Sequence, residues 1–372
     1  MDERINSIGD ETIHVEKTIR SIKGDSALFI KELEQIAPNS CFKTLYGHTN
    51  LVECLDFNDP FSTLVTGSAD KSLKVWDLSS NMCIGNLIGH TGWVRSVQID
   101  NYSVISGSGD CTMKHWDTST LDSGICTSDM EFTGHSGGVS ALQFAQGVLV
   151  SGSADTTIKQ WDMRTGTNIQ TLRTSRSIRD DSCDTLIYGG STINRDLPYT
   201  TAEFQGWSET AIEPVDQVVS NTGGAVCSIY FWEHALAGGY GDGVIRLWDL
   251  RAGTYHRELT GHSASVTAVQ FDSNYIFSGS TDGRFNVWDI RGGAILQTIE
   301  FTQGITDLHV DSSLVSIANG SIQISIYRRD SESISHLGGV DGHNKVVRTV
   351  KHMNGRLISG AMDNTVRIWK LG

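Results

Sequence analysis

Several kinds of residue are scarce in this chain, and each shortage removes a class of protein. Proline occurs four times in 372 residues and charged residues make up 19%. With 39 glycines and 8% aromatics beside them, that is the composition of a soluble, turn-rich globular chain rather than a disordered one. No run approaches the ~18 consecutive apolar residues of a membrane span, and the N-terminus is polar rather than signal-like. The seven cysteines are odd in number, scattered, and never paired as C-x-x-C, so neither a disulfide framework nor a zinc site is indicated and a reducing compartment follows. Basic residues are in deficit, 29 against 43 acidic ones. The resulting charge of −14 disfavours nucleic acid or an anionic lipid surface as a direct partner of the whole molecule. No P-loop, nucleophile elbow or metal-ligand cluster is present, so no cofactor is expected. The glycine-rich stretch at 238–243 lies before a strand rather than at a strand-to-helix junction, and reads as a β-turn.

What is abundant is repetition. Trp is followed by Asp at Trp76, Trp116, Trp161, Trp248 and Trp288, and a variant, Trp369-Lys370, ends the series. Gly-His pairs interleave at Gly47-His48, Gly89-His90, Gly134-His135, Gly261-His262 and Gly342-His343. A unit of roughly 40 to 45 residues opening on Gly-His and closing on Trp-Asp is the signature of a WD-repeat β-propeller. The predicted fold is therefore all-β. Within each unit three strands precede the Trp-Asp and a fourth follows it, at 82–89, 129–135, 168–174, 254–262, 294–300 and 336–343. A further such strand, 41–48, precedes the first unit, while the chain stops straight after the third strand of its last. Residues 41–48 are thus expected to complete the last blade and close the ring, removing its strand edges.

Trp spacings of 40, 45, 87, 40 and 81 residues contain two double lengths. The 81-residue interval holds a decayed repeat ending at Tyr327. The 87-residue interval holds one repeat ending at Trp248 and a surplus at 175–222 that has no Gly-His, no Trp-Asp and no strand pattern. The stretch 41–372 divides as well into eight repeats as into seven plus an insertion. Seven blades are preferred, because even the decayed repeat keeps its strands. Residues 175–222 read as a long loop.

The repeated polar residues invite a catalytic reading that their chemistry does not support. A buried indole N–H needs an acceptor, a hydroxyl can accept it and donate onward to His, and Asp can orient the His. The expected sets are His48, Thr66, Asp70 and Trp76; His90, Ser106, Asp110 and Trp116; His135, Ser151, Asp155 and Trp161; His262, Ser278, Asp282 and Trp288; and His343, Ser359, Asp363 and Trp369. The fourth blade keeps Asp242 and Trp248 but is read with Ala237 in the hydroxyl position and no matching His; the sixth lacks the set. Five equivalent copies of a His-Asp-Ser group would require five active sites, so these residues are assigned to holding blades together.

Residues 1–40 follow another period. Ile5, Ile8, Thr12, Val15, Ile19, Ile22, Ser26, Phe29, Leu33 and Ile36 fall three and four apart, the seam of a coiled coil. The alternative is a short helix over 26–36, capped by Asp25 and packed on the propeller. Pro38 would end either one.

The sequence CFKTLYGHTNLVECLDFNDPFSTLVTGSADKSLKVWDL and the stretch ALAGGYGDGVIRLWDLRAGTYHRELTGHSASVTAVQFDSNYIFSGSTDGRFNVWDIRGG resemble the propeller of the fungal mitochondrial division proteins. So do the decayed sixth repeat, the loop ahead of the fourth blade and the upstream heptads. The resemblance implies a non-catalytic adaptor on the cytosolic face of the mitochondrial outer membrane, acting in mitochondrial fission. It further implies a propeller that recruits a dynamin-related GTPase, a coiled coil that makes a homodimer, and a more N-terminal region that binds a tail-anchored fission receptor. Because the chain starts inside what would be the end of the coiled coil, receptor binding is expected only of a longer product. Other readings are a substrate receptor of a ubiquitin ligase, which would need an F-box-like module, or an enzyme with a metal or cofactor in the channel.

Partner contacts are expected where each innermost strand begins. Most of those positions are small, and the large ones, Trp93, Arg95 and Arg348 with Leu51, Glu53 and Met362 nearby, form an aromatic and arginine group suited to an interface.

Overall fold

In the computed structural model, residues 39–58, 62–145, 147–173 and 224–371 are described. The heptad segment and the loop at 175–222 lie outside them. The described residues form seven sheets arranged as blades. Blade 1 comprises Val52–Asn58, Thr63–Ser68, Leu73–Asp77 and Met82–Leu87; blade 2, Val94–Asp100, Ser103–Ser108, Met113–Asp117 and Met130–Phe132. Blades 3, 4 and 5 repeat this meander from Val139 to Arg173, Val226 to Thr260 and Val266 to Glu300, and the decayed repeat forms blade 6 from Asp307 to Leu337. Blade 7 takes Val347–Met353, Arg356–Ala361 and Thr365–Lys370 from the end of the chain and Ser40–Tyr46 from its beginning, with Leu45 opposite Val366.

The strands form because their residues alternate between two neighbours rather than between core and solvent. In blade 1, Val65, Val75 and Leu87 face blade 2 and pack on Val94, Val104 and Trp116, while Leu64, Trp76 and Leu78 face blade 7 and meet Leu45, Val366 and Ile368. Each blade is covered on both faces, so the core is divided among the seams between blades. Burying one Val or Leu side chain contributes about 1.5–3 kcal/mol. The ring therefore draws its stability from every seam, and the seam between blades 7 and 1 unites the two ends of the chain.

Close approach of blades depends on a glycine in the second strand. At Gly107, an added Cβ would lie 2.7 Å from Val139 Cγ1 on the next blade. The equivalent position in blade 6 is Ala318, which is fully buried beside Val347.

Three features differ from the sequence reading. The outermost strand of blade 6 is Ser333–Leu337 rather than 336–343, because Gly338 and Gly339 turn the chain at φ 158° and 105°. The outermost strand of blade 2 shrinks to Met130–Phe132. The residues before it form a 3-10 turn, Thr118–Ser123, capped by the Asp117 carboxylate, and a two-residue strand, Ile125–Cys126, that pairs in parallel with the edge of blade 1. Leu121 from this turn lies against Gly85, so part of one exposed strand edge is covered.

Candidate functional site

In five blades a hydrogen-bonded chain runs from the buried Trp to the top turn. In blade 2, Trp116 Nε1 donates to Ser106 Oγ at 2.9 Å, that hydroxyl lies 2.8 Å from His90 Nε2, and His90 Nδ1 lies 2.8 Å from Asp110 Oδ2. The carboxylate also accepts from the Thr91 N–H, the Thr112 N–H and the Thr112 hydroxyl. Matching Trp-to-hydroxyl and hydroxyl-to-His contacts of 2.8–2.9 Å join Trp76, Thr66 and His48; Trp161, Ser151 and His135; Trp288, Ser278 and His262; and Trp369, Ser359 and His343. Their Asp contacts, to Asp70, Asp155, Asp282 and Asp363, span 2.8–3.1 Å. Burial alone would raise the pKa of these carboxylates, but the hydrogen bonds from His and from the turn outweigh it and hold Asp70, Asp110, Asp155 and Asp363 below the usual range.

This chemistry is spent internally. The Ser106 oxygen has no exposed surface and is engaged on both sides, by an indole and by an imidazole. It cannot reach a substrate as a nucleophile does.

Blade 4 solves the same problem differently, and the register corrects one assignment. Leu236 stands opposite Trp248 as Val104 stands opposite Trp116, so the hydroxyl position falls two residues on, at Gly238 rather than Ala237. An added Cβ at Gly238 would lie 3.0 Å from the Tyr240 ring, which occupies the space. Over that ring, at 4.4 Å, lies the guanidinium of Arg246, which is bound to Asp242 at 2.7 Å and Glu258 at 2.9 Å. Asp242 thus serves an arginine instead of a histidine. In blade 6 Tyr327 replaces Trp and its hydroxyl donates to Gln297 of blade 5 at 2.7 Å.

A candidate surface for function is the central channel, a cavity of about 660 Å³. Its upper wall is built by a recurring irregularity. Six innermost strands carry a register shift near their start, at 52/54, 94/96, 139/141, 226/228, 266/268 and 347/349. A bulge leaves one residue unpaired and re-aims its side chain. The residues so displaced are Glu53, Arg95, Ser140, Cys227, Thr267 and Arg348, and all six line the channel. Ser140 and Thr267 hydroxyls bond to Val226 O and Ile305 O of the following blades, and Arg348 is bound to Glu53.

Trp93 lines the same mouth with 46% of its surface exposed, and Arg95 is exposed beside it. Leu51 and Met362 are not part of the wall. The Leu51 carbonyl accepts from Ala69 N and Ser68 Oγ, and Met362 N donates to Val346 O, so both belong to top turns. Arg348 lines the wall with its guanidinium engaged by Glu53.

Sequence reasoning did not find the charged and imidazole groups deeper along the channel wall, nor His352 buried behind it. The Asp56 carboxylate receives Lys351 from blade 7 and the Ile99 N–H from blade 2. Asp307 accepts from Thr349 Oγ1 and Val350 N; burial pushes its carboxyl up to about 6 despite those bonds. His309 and His352 meet edge to face at 4.6 Å, and burial holds both below the usual imidazole value. Asp56, Lys351 and His352 sit three or four positions beyond a bulge, and Asp307 and His309 lie on the one innermost strand without a register shift among the described blades, all on strands whose outward signal is only alternation. Among the described residues no group of three or more His, Cys, Asp or Glu side chains could hold a metal ion, and no helix is long and apolar enough to cross a membrane.

Comparison with known proteins agrees with the architecture. A family model described as WD domain, G-beta repeat matches residues 39–77, 81–117, 126–162, 253–289 and 334–370. Proteins named Mitochondrial division protein 1 are similar along most of the chain. The one from Coccidioides immitis is 35% identical over 357 residues, 90% of this chain and 53% of that protein. The one from Eremothecium gossypii is 33% identical over 332 residues, 87% of this chain and 43% of its own length. That from Malassezia globosa is 32% identical over 362 residues, covering 91% and 54%. The chain spans about half the length of these relatives. With the repeats matched in five blades and a seven-bladed ring built from them, the chain belongs to the WD-repeat family.

Proposed function

We propose that this chain is a non-catalytic adaptor of mitochondrial fission whose propeller docks a dynamin-related GTPase at the upper mouth of its channel. The observation that carries the reading is similarity over about nine-tenths of the chain to fungal proteins named for mitochondrial division. The site supports it: the His, Ser and Asp side chains that resemble catalytic groups are consumed in holding blades together, while Trp93 and Arg95 stand exposed at the mouth. Exposed aromatic and arginine side chains dominate the energetics of protein interfaces. On this reading the protein works peripherally on the cytosolic face of the outer membrane, and residues 1–40 contribute a homodimer.

The test is affinity capture of the dynamin-related GTPase from the same organism, by the full chain and by its Trp93→Ala and Arg95→Ala variants. Both variants should fold as the parent does and retain less of the GTPase. Equal retention by all three would remove the mouth from the interface; no retention by the parent would remove the recruitment reading. Residues 1–40 are tested separately, by sedimentation of the chain with and without them.

A further inference from the structure

The channel's charges are matched with one exception. Glu53 is held by Arg348, Asp56 by Lys351, and Asp307 by the Thr349 hydroxyl and the Val350 N–H. Arg95 alone among the charged residues of the upper mouth has no hydrogen bond or ion pair with any described residue, although the bulge directs it into the channel. A free guanidinium in a concave site is an unfilled donor set, matched by a carboxylate in bidentate geometry. Next to it the exposed Trp93 indole has no ring or cation contact with any described residue and offers an apolar surface. The bulge positions of blades 3, 4 and 5 are Ser140, Cys227 and Thr267, small enough to leave room for an entering chain. On the rim, Lys71 and Lys345 of the top turns of blades 1 and 7 are also without ion pairs among the described residues, and stand among the turn carboxylates of Asp70, Asp110, Asp155, Asp282 and Asp363, which are engaged by histidines.

Resting on the reading of this mouth as a partner site, we infer that the partner enters as an extended acidic segment, placing a carboxylate on Arg95 and a neighbouring large apolar side chain on Trp93. Two positions of extended chain span about 7 Å, the reach between side chains two residues apart such as 93 and 95. The acid and the apolar residue of the ligand are therefore one or two positions apart. In a chain of net charge −14, the unpaired Arg95 is the point of this mouth that favours an acidic ligand.

The experiment is selection of random nine-residue displayed peptides on the full chain and on its Arg95→Glu, Arg95→Lys and Trp93→Ala variants, each first shown to melt as the parent does. The parent should enrich Asp or Glu one or two positions from Leu, Ile, Phe or Trp. A peptide so selected should bind Arg95→Glu and Trp93→Ala at least tenfold more weakly and Arg95→Lys within a few-fold of the parent. It should also weaken between 0.1 and 0.5 M NaCl. Failure to select any peptide, selection without an acidic position, or equal binding to Arg95→Glu would overturn the inference. Capture of the GTPase separates the two claims. If the GTPase binds and the selected peptide does not displace it, the acidic-segment inference falls while the adaptor reading stands; if peptides are selected but the GTPase never binds, the reverse holds.

Discussion

Arg348 of blade 7 grips Glu53 of blade 1 with two donors, Nε at 3.1 Å and Nη2 at 2.9 Å from the same carboxylate oxygen. The two residues are 295 positions apart in the chain, yet they occupy the same bulge position on adjacent blades, where the ring closes. The pair both ties the closure and silences one of the two arginines at the mouth.

Glu53→Gln should therefore release Arg348 and give the mouth a second free cation. Arg348 is over a third exposed, so solvent screening limits the stability loss to about 1 kcal/mol or less. Binding of an acidic segment should strengthen several-fold, whereas Arg348→Met, which strands the Glu53 carboxylate, should weaken it. Fluorescence anisotropy with a labelled acidic peptide reads both; the same sign of change in the two variants would show that the pair does not set the charge of the mouth.

The hydroxyl at the centre of each polar chain predicts an uneven cost of substitution. Ser106→Ala leaves the Trp116 N–H without its acceptor and His90 Nε2 without its donor, both buried. One unsatisfied buried group costs ~1–3 kcal/mol, so the loss should be about 2–4 kcal/mol. Ser106→Thr should cost far less, since Thr66 fills the same position in blade 1 with the same contacts. Urea unfolding compares them, and a loss near zero for the Ala variant would mean that water replaces the hydroxyl.

How far such features can be read without a structure depends on whether they are local. Seven blades follow from a period, and the members of each polar chain stand at fixed offsets within one repeat. Where the anchors are missing the register slips: blade 4 has no matching hydroxyl to count from, and Ala237 was read for Gly238. Nothing in the 45-residue interval between Trp116 and Trp161 tells that Ile125 and Cys126 pair with blade 1. A bulge displaces one residue without changing composition, so nothing in the sequence said that Glu53 and Arg348 would point at each other. Charge matching across 295 residues is a property of the closed ring alone.

Two buried imidazoles at the seam of blades 6 and 7 should make the fold acid-sensitive well above the carboxylate range. His352 Nδ1 lies 2.7 Å from Ser316 Oγ and its Nε2 3.1 Å from Asp311, while His309 faces His352 with Lys351 close by. Burial disfavours the charged form of both in the fold, so below about pH 6.5 the unfolded chain binds more protons than the folded chain does. Stability is then lost as pH falls, at up to about 1.4 kcal/mol per pH unit for each imidazole. Asp307 acts with the opposite sign. Its carboxyl, raised to about 6, holds a proton in the fold where the unfolded chain has released it, so its contribution is present near pH 4 and is lost as pH rises through 6. His309→Asn should flatten the fall of the urea midpoint between pH 6.5 and 4.5, and Asp307→Asn should steepen it. Parallel profiles for parent and variants would place the acid response elsewhere.

The glycine of the second strand offers a test of how tightly the blades are set. At Gly107 a methyl group would meet Ser96 Oγ at 2.5 Å as well as Val139 at 2.7 Å, and both neighbours are enclosed, so the seam must open to admit it. Overpacking of this kind costs typically 1–3 kcal/mol, and Gly107→Ala should lower the melting temperature accordingly. Blade 6 already carries Ala318 at this position, and there Thr306 spans the seam by bonding both Ala318 O and Val347 O. That blade has settled around a methyl group, so Ala318→Gly should destabilise through a small void and a freer backbone rather than relieve strain. Loss of stability in both variants is the expected result of thermal unfolding followed by circular dichroism. A gain from Ala318→Gly would mean instead that the methyl group strains the blade 6–7 seam and that glycine is the better fit at every blade.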